Sequence, residues 1–402
     1  MIIRRITAAV ALLLAVVLAA FTWIIASFRI PPQLVRLSYV VSNFGLYLVP
    51  LGLLGVLLAV VLYRRGVRRI ALVTGLVGVV ATVAACFPLV AAWRSAERHG
   101  ADLSLANYLT YGANTGEPDA SKSVVYHRID GQELKLDVKL PSDGPERARP
   151  AVVWVHGGGW VSGDRGEAPK WHKWLNDKGY AVFAIEYRLA PPPRWNQAPA
   201  DVKCAIGWVR QHAETYGVDP DRIMTAGGSA GGNLALMGAY ADDRVKPSCP
   251  VPDAADTPDT ADAPVAAVAA VAAFYPATDV ARGWQDTTMR DTIRKAAEDY
   301  TGGTPQQVPE HYKLASPVTY VRKDLPPTLL MHGTRDHVAP YQQSTGLAAK
   351  LREFDVPYRL LAVPYGEHAY DFRWGDWGSQ VSRHVFSEFL DRYFPANPSN
   401  NG

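Results

Sequence analysis

Three uncharged apolar runs fill the first quarter of the chain, and no other feature restricts its fold as tightly. They are Ile6–Phe28, Tyr39–Tyr63 and Ile70–Trp93. Each reaches the length of about 20 residues that a helix needs to cross a bilayer core. The charges fall between them as Arg4, Arg5, Arg29, Arg36, Arg64, Arg65, Arg68, Arg69 and Arg94. A soluble helix would carry polar residues along one face of each run. The pattern therefore predicts three transmembrane helices, at about 6–28, 39–63 and 70–93, in a bundle over residues 1–98. Gly45, Pro50, Gly52 and Gly55 inside the second run are compatible with lipid, because neighbouring helices re-satisfy the backbone.

Orientation follows from the arginines. The N-terminus and the 64–69 loop carry Arg4, Arg5, Arg64, Arg65, Arg68 and Arg69, against Arg29, Arg36, Arg94 and Arg98 on the other side. The positive-inside rule puts the richer side in the cytoplasm. The rest of the chain is then expected outside the cytoplasmic membrane, on a multi-pass membrane protein. The first run is longer than the apolar stretch of about 7–15 residues in a secretory signal peptide. The net charge of +3 is mild, and most of the excess lies beside the apolar runs. That favours lipid headgroups over nucleic acid. Cys86 lies in the third run, so only Cys204 and Cys249 could pair, and nothing in the sequence indicates that they do.

Beyond residue 121 the texture changes to short apolar strands alternating with helical patterns. Val124–His127 and Leu134–Leu140 flank an Asp130-Gly131 turn. Ala151–Val155, Ala181–Tyr187, Arg222–Ala226, Val265–Tyr275, Thr328–His332 and Tyr358–Val363 read as further strands. Glu167–Lys178, Ala198–Tyr216 and Ser379–Tyr393 read as helices between and after them. Such alternation predicts an α/β domain with a mostly parallel central sheet over 122–396. Residues 242–264 read as a surface insertion. Residues 99–121 form a linker or lid segment, and 282–313 a second possible lid.

The strand at Arg222–Ala226 runs into Gly227-Gly228-Ser229-Ala230-Gly231-Gly232 and then a helical pattern. A serine with glycine two residues before and after, on a strand-to-helix turn, has the form of a nucleophile elbow. The turn leaves no room for side chains at Gly227 and Gly231. Upstream, Ala151–Val155 leads into His156-Gly157-Gly158-Gly159-Trp160. Successive glycines let backbone amides converge on one point, as an oxyanion hole requires. Gly158 and Gly159 are assigned as two donors and the Ala230 amide as the third, with His156 and Gly157 supporting the loop. Trp160 follows the glycines directly and is assigned to a substrate pocket.

Asp336 lies just past the strand Thr328–His332, where functional groups of open α/β sheets gather. His368 follows the strand Tyr358–Val363. The order Ser229, Asp336, His368 is the α/β-hydrolase order of nucleophile, acid and base. His337, beside the acid, is the main rival base, and His332 reads as a packed core residue.

The pair His156-Gly-Gly-Gly-Trp160 and Gly227-Gly-Ser-Ala-Gly-Gly232 resembles the bacterial hormone-sensitive-lipase-like branch of α/β-hydrolases, which are esterases and lipases. Glu186-Tyr187-Arg188-Leu189-Ala190-Pro191, Asp201, Val218-Asp219-Pro220-Asp221-Arg222 and Ser316-Pro317 add to the likeness, which covers about residues 120–395. That branch usually carries an acidic residue before the nucleophile, where this chain has Gly228. It often has glycine after the base, where this chain has Ala369. The resemblance implies a membrane-anchored serine carboxylesterase or lipase acting through an acyl-enzyme, without metal or other cofactor, on a small-molecule or lipid ester. An amide hydrolase using the same three residues, and a non-catalytic scaffold, remain as alternatives.

Overall fold

The computed structural model describes residues 2–112, 122–142, 148–250 and 267–396. Its N-terminal part comprises α1 (Ile2–Ala26), α2 (Val35–Phe44), α3 (Leu48–Arg64) and α4 (Arg68–His99). Among the described residues, three stretches are long and apolar enough to cross a membrane: Ile2–Ala26, Pro32–Arg64 and Arg68–His99. The second departs from the sequence expectation. It starts at Pro32 rather than Tyr39, and a 3-10 turn at Gly45–Tyr47 divides it into α2 and α3. Proline suits a helical first turn, since its missing N–H would be unpaired there anyway. The polar residues of α2 find partners on the rest of the protein rather than in lipid, as described below. α3 and α4 pack backbone to backbone: a Cβ on Gly78 would stand 2.7 Å from the Gly52 carbonyl oxygen. Small residues at such crossings are what let apolar helices associate without a hydrophobic driving force.

α4 outruns its apolar stretch and ends at Gly100, whose φ of 67° gives the left-handed stop that glycine accepts freely. Ala96, near that end, is buried in the core of the second part. The third long helix is thus also a strut between the two parts. α5 (Leu105–Thr110) follows it.

Among the described residues the second part is built on eight strands: β1 (Lys122–Ile129), β2 (Gln132–Lys139), β3 (Arg149–Val155), β4 (Ala181–Ile185), β5 (Val218–Gly228), β6 (Ala270–Phe274), β7 (Thr328–Gly333) and β8 (Tyr358–Val363). Their order is β1-β2-β4-β3-β5-β6-β7-β8. β1 and β2 pair antiparallel, β2 runs antiparallel to β4, and β4 through β8 are parallel. Asp130 (φ 51°) and Gly131 (φ 72°) make the two-residue β1–β2 hairpin. The helices are α6 (Pro169–Asp177), α7 (Gln197–Gln211), α8 (Ala213–Tyr216), α9 (Ala230–Tyr240), α10 (Val280–Asp286), α11 (Lys295–Thr301), α12 (Pro309–Leu314), α13 (Gln342–Glu353) and α14 (Trp377–Tyr393).

Alternation along β3 sends Val153 and Val155 to one face and Val152 and Trp154 to the other. α7, α9 and α13 cover the first face, and α6 and α14 the second. This is the α/β architecture the sequence predicts. The expected strand 265–275 is shorter than read, and the expected helix 198–216 breaks at His212 into α7 and α8. Of the 242–264 insertion, 251–264 lies outside the described residues, as does 113–121 of the first lid segment. A disulfide joins Cys204 in α7 to Cys249, with the two Cα atoms 5.4 Å apart.

Candidate active site

β5 ends at Gly228, α9 begins at Ala230, and Ser229 makes the turn between them at φ 56° and ψ −121°. For a residue with a side chain this backbone is strained, at an order of 1–3 kcal/mol. The surrounding chain enforces it. A Cβ on Gly231 would come within 2.1 Å of the Val155 carbonyl oxygen, and one on Gly227 within 2.4 Å. Both glycines are therefore required, as the sequence pattern implies. The strand ending at Val155 and the turn are locked together, and the serine side chain is left partly open.

The Ser229 hydroxyl lies 2.8 Å from His368 Nε2. His368 Nδ1 lies 2.7 Å from Asp336 Oδ2. The other oxygen of Asp336 accepts the amides of Val338 and Ala339, both at 2.8 Å. His332 Nε2 stands 3.2 Å from Asp336 Oδ2, while its Nδ1 faces the Ser344 hydroxyl at 2.7 Å. Burial pushes the Asp336 carboxyl up, but His368 and His332 outweigh it and hold the group well below the usual carboxylate range. The acid is thus an anion fixed by four donors.

His337, the rival base, does not face the serine. Its Nδ1 lies 2.9 Å from both oxygens of Glu367. Glu367 also accepts a hydrogen bond from the Ser38 hydroxyl in α2. His332, read as a core residue, is fully buried and also steadies the acid.

Gly158 and Gly159 take φ values of 103° and 61°. A Cβ on Gly158 would meet the Ser162 carbonyl oxygen at 2.1 Å. Among the described residues nothing accepts a hydrogen bond from the Gly158 or Gly159 amide, so both are left for a ligand oxygen. The Gly157 amide, by contrast, donates to the Glu167 carboxylate. His156 stacks on Tyr187 with ring centroids 4.4 Å apart, and the Tyr187 hydroxyl donates to the His156 carbonyl at 3.2 Å. Trp160 donates to Asn233 at 3.1 Å, stacks on Tyr300 and lines a pocket with Gly159, Ser229, Ala230, Ala297 and Val338.

Two acids near Ser229 are not legible as such: the buried Asp371, and Glu167, an exposed residue whose carboxyl meets the Gly157 amide. Glu167 turns its carboxyl inward, and burial, countered by the Gly157 amide and aided by Asp371 nearby, pushes it up to about 7. Asp371 accepts the Tyr275 hydroxyl and Trp171 Nε1, both at 2.7 Å, and burial raises it too. Tyr275 lies against Gly228: a Cβ there would stand 3.0 Å from the tyrosine oxygen. A side chain before Ser229 would require the Tyr275 ring to give by a few tenths of an ångström. After the base, Ala369 adopts the left-handed backbone (φ 52°) that glycine would take without strain.

The loops bearing the acid and base rest on the N-terminal helices. Arg335, next to Asp336, donates to the carbonyls of Ile24, Ile25 and Ser27 at the end of α1. Glu367, next to His368, holds Ser38. Arg373 donates to the carbonyls of Asn43 and Tyr108. These guanidinium groups fall on carbonyls that a helix end leaves unpaired. One cluster of metal-ligand type, His127 with Cys204 and Cys249, occurs among the described residues. Its two sulfurs are joined in the disulfide.

The family described as BD-FAE matches residues 136–351, more than half of the chain. The probable carboxylic ester hydrolase LipM of Mycobacterium tuberculosis is 34% identical over 247 residues, covering 60% of this chain and 54% of that protein. Esterase LipC of the same organism is 31% identical over 243 residues, covering 59% of this chain and 57% of its own length. The chain thus spans about half the length of the curated relatives it matches. Mouse hormone-sensitive lipase is 33% identical over 138 residues, which is 31% of this chain and 18% of that one. Among solved structures, esterase 2 of Thermogutta terrifontis, phosphonylated by sarin, aligns with a TM-score of 0.59 at 26% identity, covering 70% of this chain and 98% of that one.

Proposed function

The chain belongs to the BD-FAE family and to the hormone-sensitive-lipase-like α/β-hydrolases, and from that premise we propose that it is a membrane-anchored serine esterase. The observation that carries this reading is the hydrogen-bonded chain from Ser229 through His368 to Asp336, set beside two unengaged glycine amides.

A serine hydroxyl is a weak nucleophile until a base takes its proton. His368 Nε2 is at hydrogen-bond distance to do so. Asp336 holds the imidazole with Nδ1 as donor and stabilises the imidazolium without itself becoming protonated. Attack on an ester carbonyl places negative charge on the carbonyl oxygen, where the amides of Gly158, Gly159 and Ala230 would stabilise it. Loss of one such donor costs roughly 100- to 1,000-fold in kcat. The alcohol leaves with the proton from His368. Water activated by the same nitrogen then releases the acid from Ser229.

The acyl group is proposed to be short. The pocket beside Ser229 has a volume of about 50 Å³, whereas a cavity that holds benzene measures about 150 Å³. Relatives agree in kind: one is named ethyl acetate hydrolase, from Pseudomonas putida, and the Thermogutta esterase has been solved with butyrate and with propionate bound.

Residues 1–98 are proposed as the anchor, 99–121 as the link and 122–396 as the catalytic part. The disulfide supports an extracytoplasmic position, because such bonds persist in oxidising compartments. It agrees with the arginine distribution. The test is hydrolysis of p-nitrophenyl esters from acetyl to palmitoyl by the full-length protein in detergent, with Ser229→Ala alongside. The reading predicts a short-acyl optimum that vanishes in the variant. Activity retained by Ser229→Ala would refute it.

A further inference from the structure

A small hollow contains Ser229 and a larger cleft begins at Ala369, one residue beyond His368, and the chemistry gives each a different half of the substrate. The small one contains Gly159, Ser229 and Ala230. The acyl group stays bonded to Ser229 with its oxygen against the glycine loop, so it belongs there. The alcohol oxygen must receive its proton from His368 Nε2, so the leaving group departs on the histidine side. The cleft that begins at Ala369 has a volume of about 440 Å³. Its volume lies within the range of roughly 300–1,000 Å³ usual for ligand sites. Tyr39, Val40 and Phe44 of α2 form one wall, and Ala369, Phe372 and Arg373 the other.

The cleft opens onto the apolar surface of the N-terminal helices. Beyond Trp93, the large apolar side chains that stay exposed among the described residues are Leu105, Leu109, Tyr111, Leu140 and Phe372. All but Leu140 lie in α5, just after it, or in the loop that follows His368. Phe372 is itself a wall of the cleft, and Tyr111 adjoins Gly112, which is another. α5 is held against α2 by the Tyr108 hydroxyl, which donates to the Asn43 carbonyl at 3.1 Å. Exposed Val40 and Phe44 of α2 therefore share this cleft with exposed Phe372 of the catalytic part. A contiguous apolar rim of this kind marks a ligand or membrane surface.

We propose, resting on the serine-esterase reading, that this cleft receives the apolar alcohol half of an ester dissolved in the bilayer. The substrate is then a short-acyl ester of a long-chain or polycyclic lipid alcohol. In acylation the Ser229 oxygen bonds to the carbonyl carbon, and the bond from that carbon to the alcohol oxygen breaks. The serine proton passes through His368 to the alcohol, which returns to the lipid. Water then cleaves the acyl-serine and releases a short carboxylic acid on the aqueous side.

The test uses the full chain reconstituted in phosphatidylcholine vesicles. Hexadecyl acetate and methyl palmitate are each supplied in the bilayer at equal mole fraction, and p-nitrophenyl acetate is supplied from water. Hexadecyl acetate is expected to be cleaved at least about tenfold faster than methyl palmitate. Val40→Trp, which fills the cleft, and Phe372→Arg, which charges its wall, should each lower the ratio of kcat/KM for hexadecyl acetate over p-nitrophenyl acetate by about tenfold. Preference for methyl palmitate would put the long half on the acyl side and overturn the proposal. So would a ratio that neither variant moves. In both cases Ser229-dependent cleavage of p-nitrophenyl acetate leaves the esterase reading standing. Its persistence in Ser229→Ala would sink that reading and this proposal together.

Discussion

Asp336 sits between two histidines, and their geometry divides the work. His368 reaches Ser229, while His332 spends its protonated nitrogen on the acid and the Ala339 carbonyl. Asp336→Asn is expected to leave the fold intact and lower kcat by about 10⁴-fold, because the imidazole loses its tautomer partner. His368→Ala should abolish turnover, whereas His337→Ala should retain most of it, because His337 faces Glu367 rather than the serine. Steady-state kinetics on p-nitrophenyl acetate decides. A larger loss from His337→Ala than from His368→Ala would reverse the assignment. The proposed nucleophile, acid, base and glycine amides are legible in sequence as candidates because each sits in a short local pattern at a strand end. Glu367 is not. Its meaning comes from Ser38, 329 positions away, and no local spacing encodes that contact. Gly228 shows the reverse case: a visible departure whose close neighbour, the Tyr275 ring, only the fold brings near.

At the scale of elements, α1 and α2 also contact the loops of the second part. Arg335 and Glu367 each stand directly before a candidate catalytic residue, and each is held by an N-terminal helix. Misplacing a reacting group by about 1 Å can cost about 100-fold in rate. A fragment beginning at Asp102 is therefore expected to keep its sheet, seen by circular dichroism, and to lose about 100-fold in kcat. Equal kcat in fragment and full chain would show that the helices only tether. Asp376, which caps α14, supplies a second element-level prediction. Burial pushes it up from 3.8 to about 7, against the Gly378 amide and Arg373. The folded chain therefore binds a proton that the unfolded chain releases, so this contribution to stability is full below pH 3.8 and is lost as pH rises through about 7. The thermal midpoint should fall between pH 5 and pH 8, and fall less in Asp376→Asn. An equal fall in both proteins would contradict this. The long apolar helices were legible from charge-free runs. The division at Gly45 was not, because it depends on α2 finding polar partners on the other part of the protein.

For the whole molecule, the sequence separates an apolar first part from an α/β second part, but it does not show that the first part holds the loops bearing Asp336 and His368. That junction consists of contacts between residues hundreds of positions apart, which periodicity cannot report. The same holds for the disulfide, visible in sequence only as a permitted pair. If the catalytic part lies outside the cytoplasm, alkylation of the denatured, unreduced protein should modify Cys86 alone, with Cys204 and Cys249 reacting only after reduction. Free Cys204 and Cys249 in protein from intact membranes would argue for the opposite orientation. The account stands or falls on Ser229. The direct measurement is to treat the full-length protein with paraoxon, follow p-nitrophenyl acetate hydrolysis, and map the phosphorylated residue by mass spectrometry. The account predicts one adduct, on Ser229, formed in step with loss of activity and absent from His368→Ala. Full inactivation with the adduct on another residue, or full activity with Ser229 modified, would contradict it.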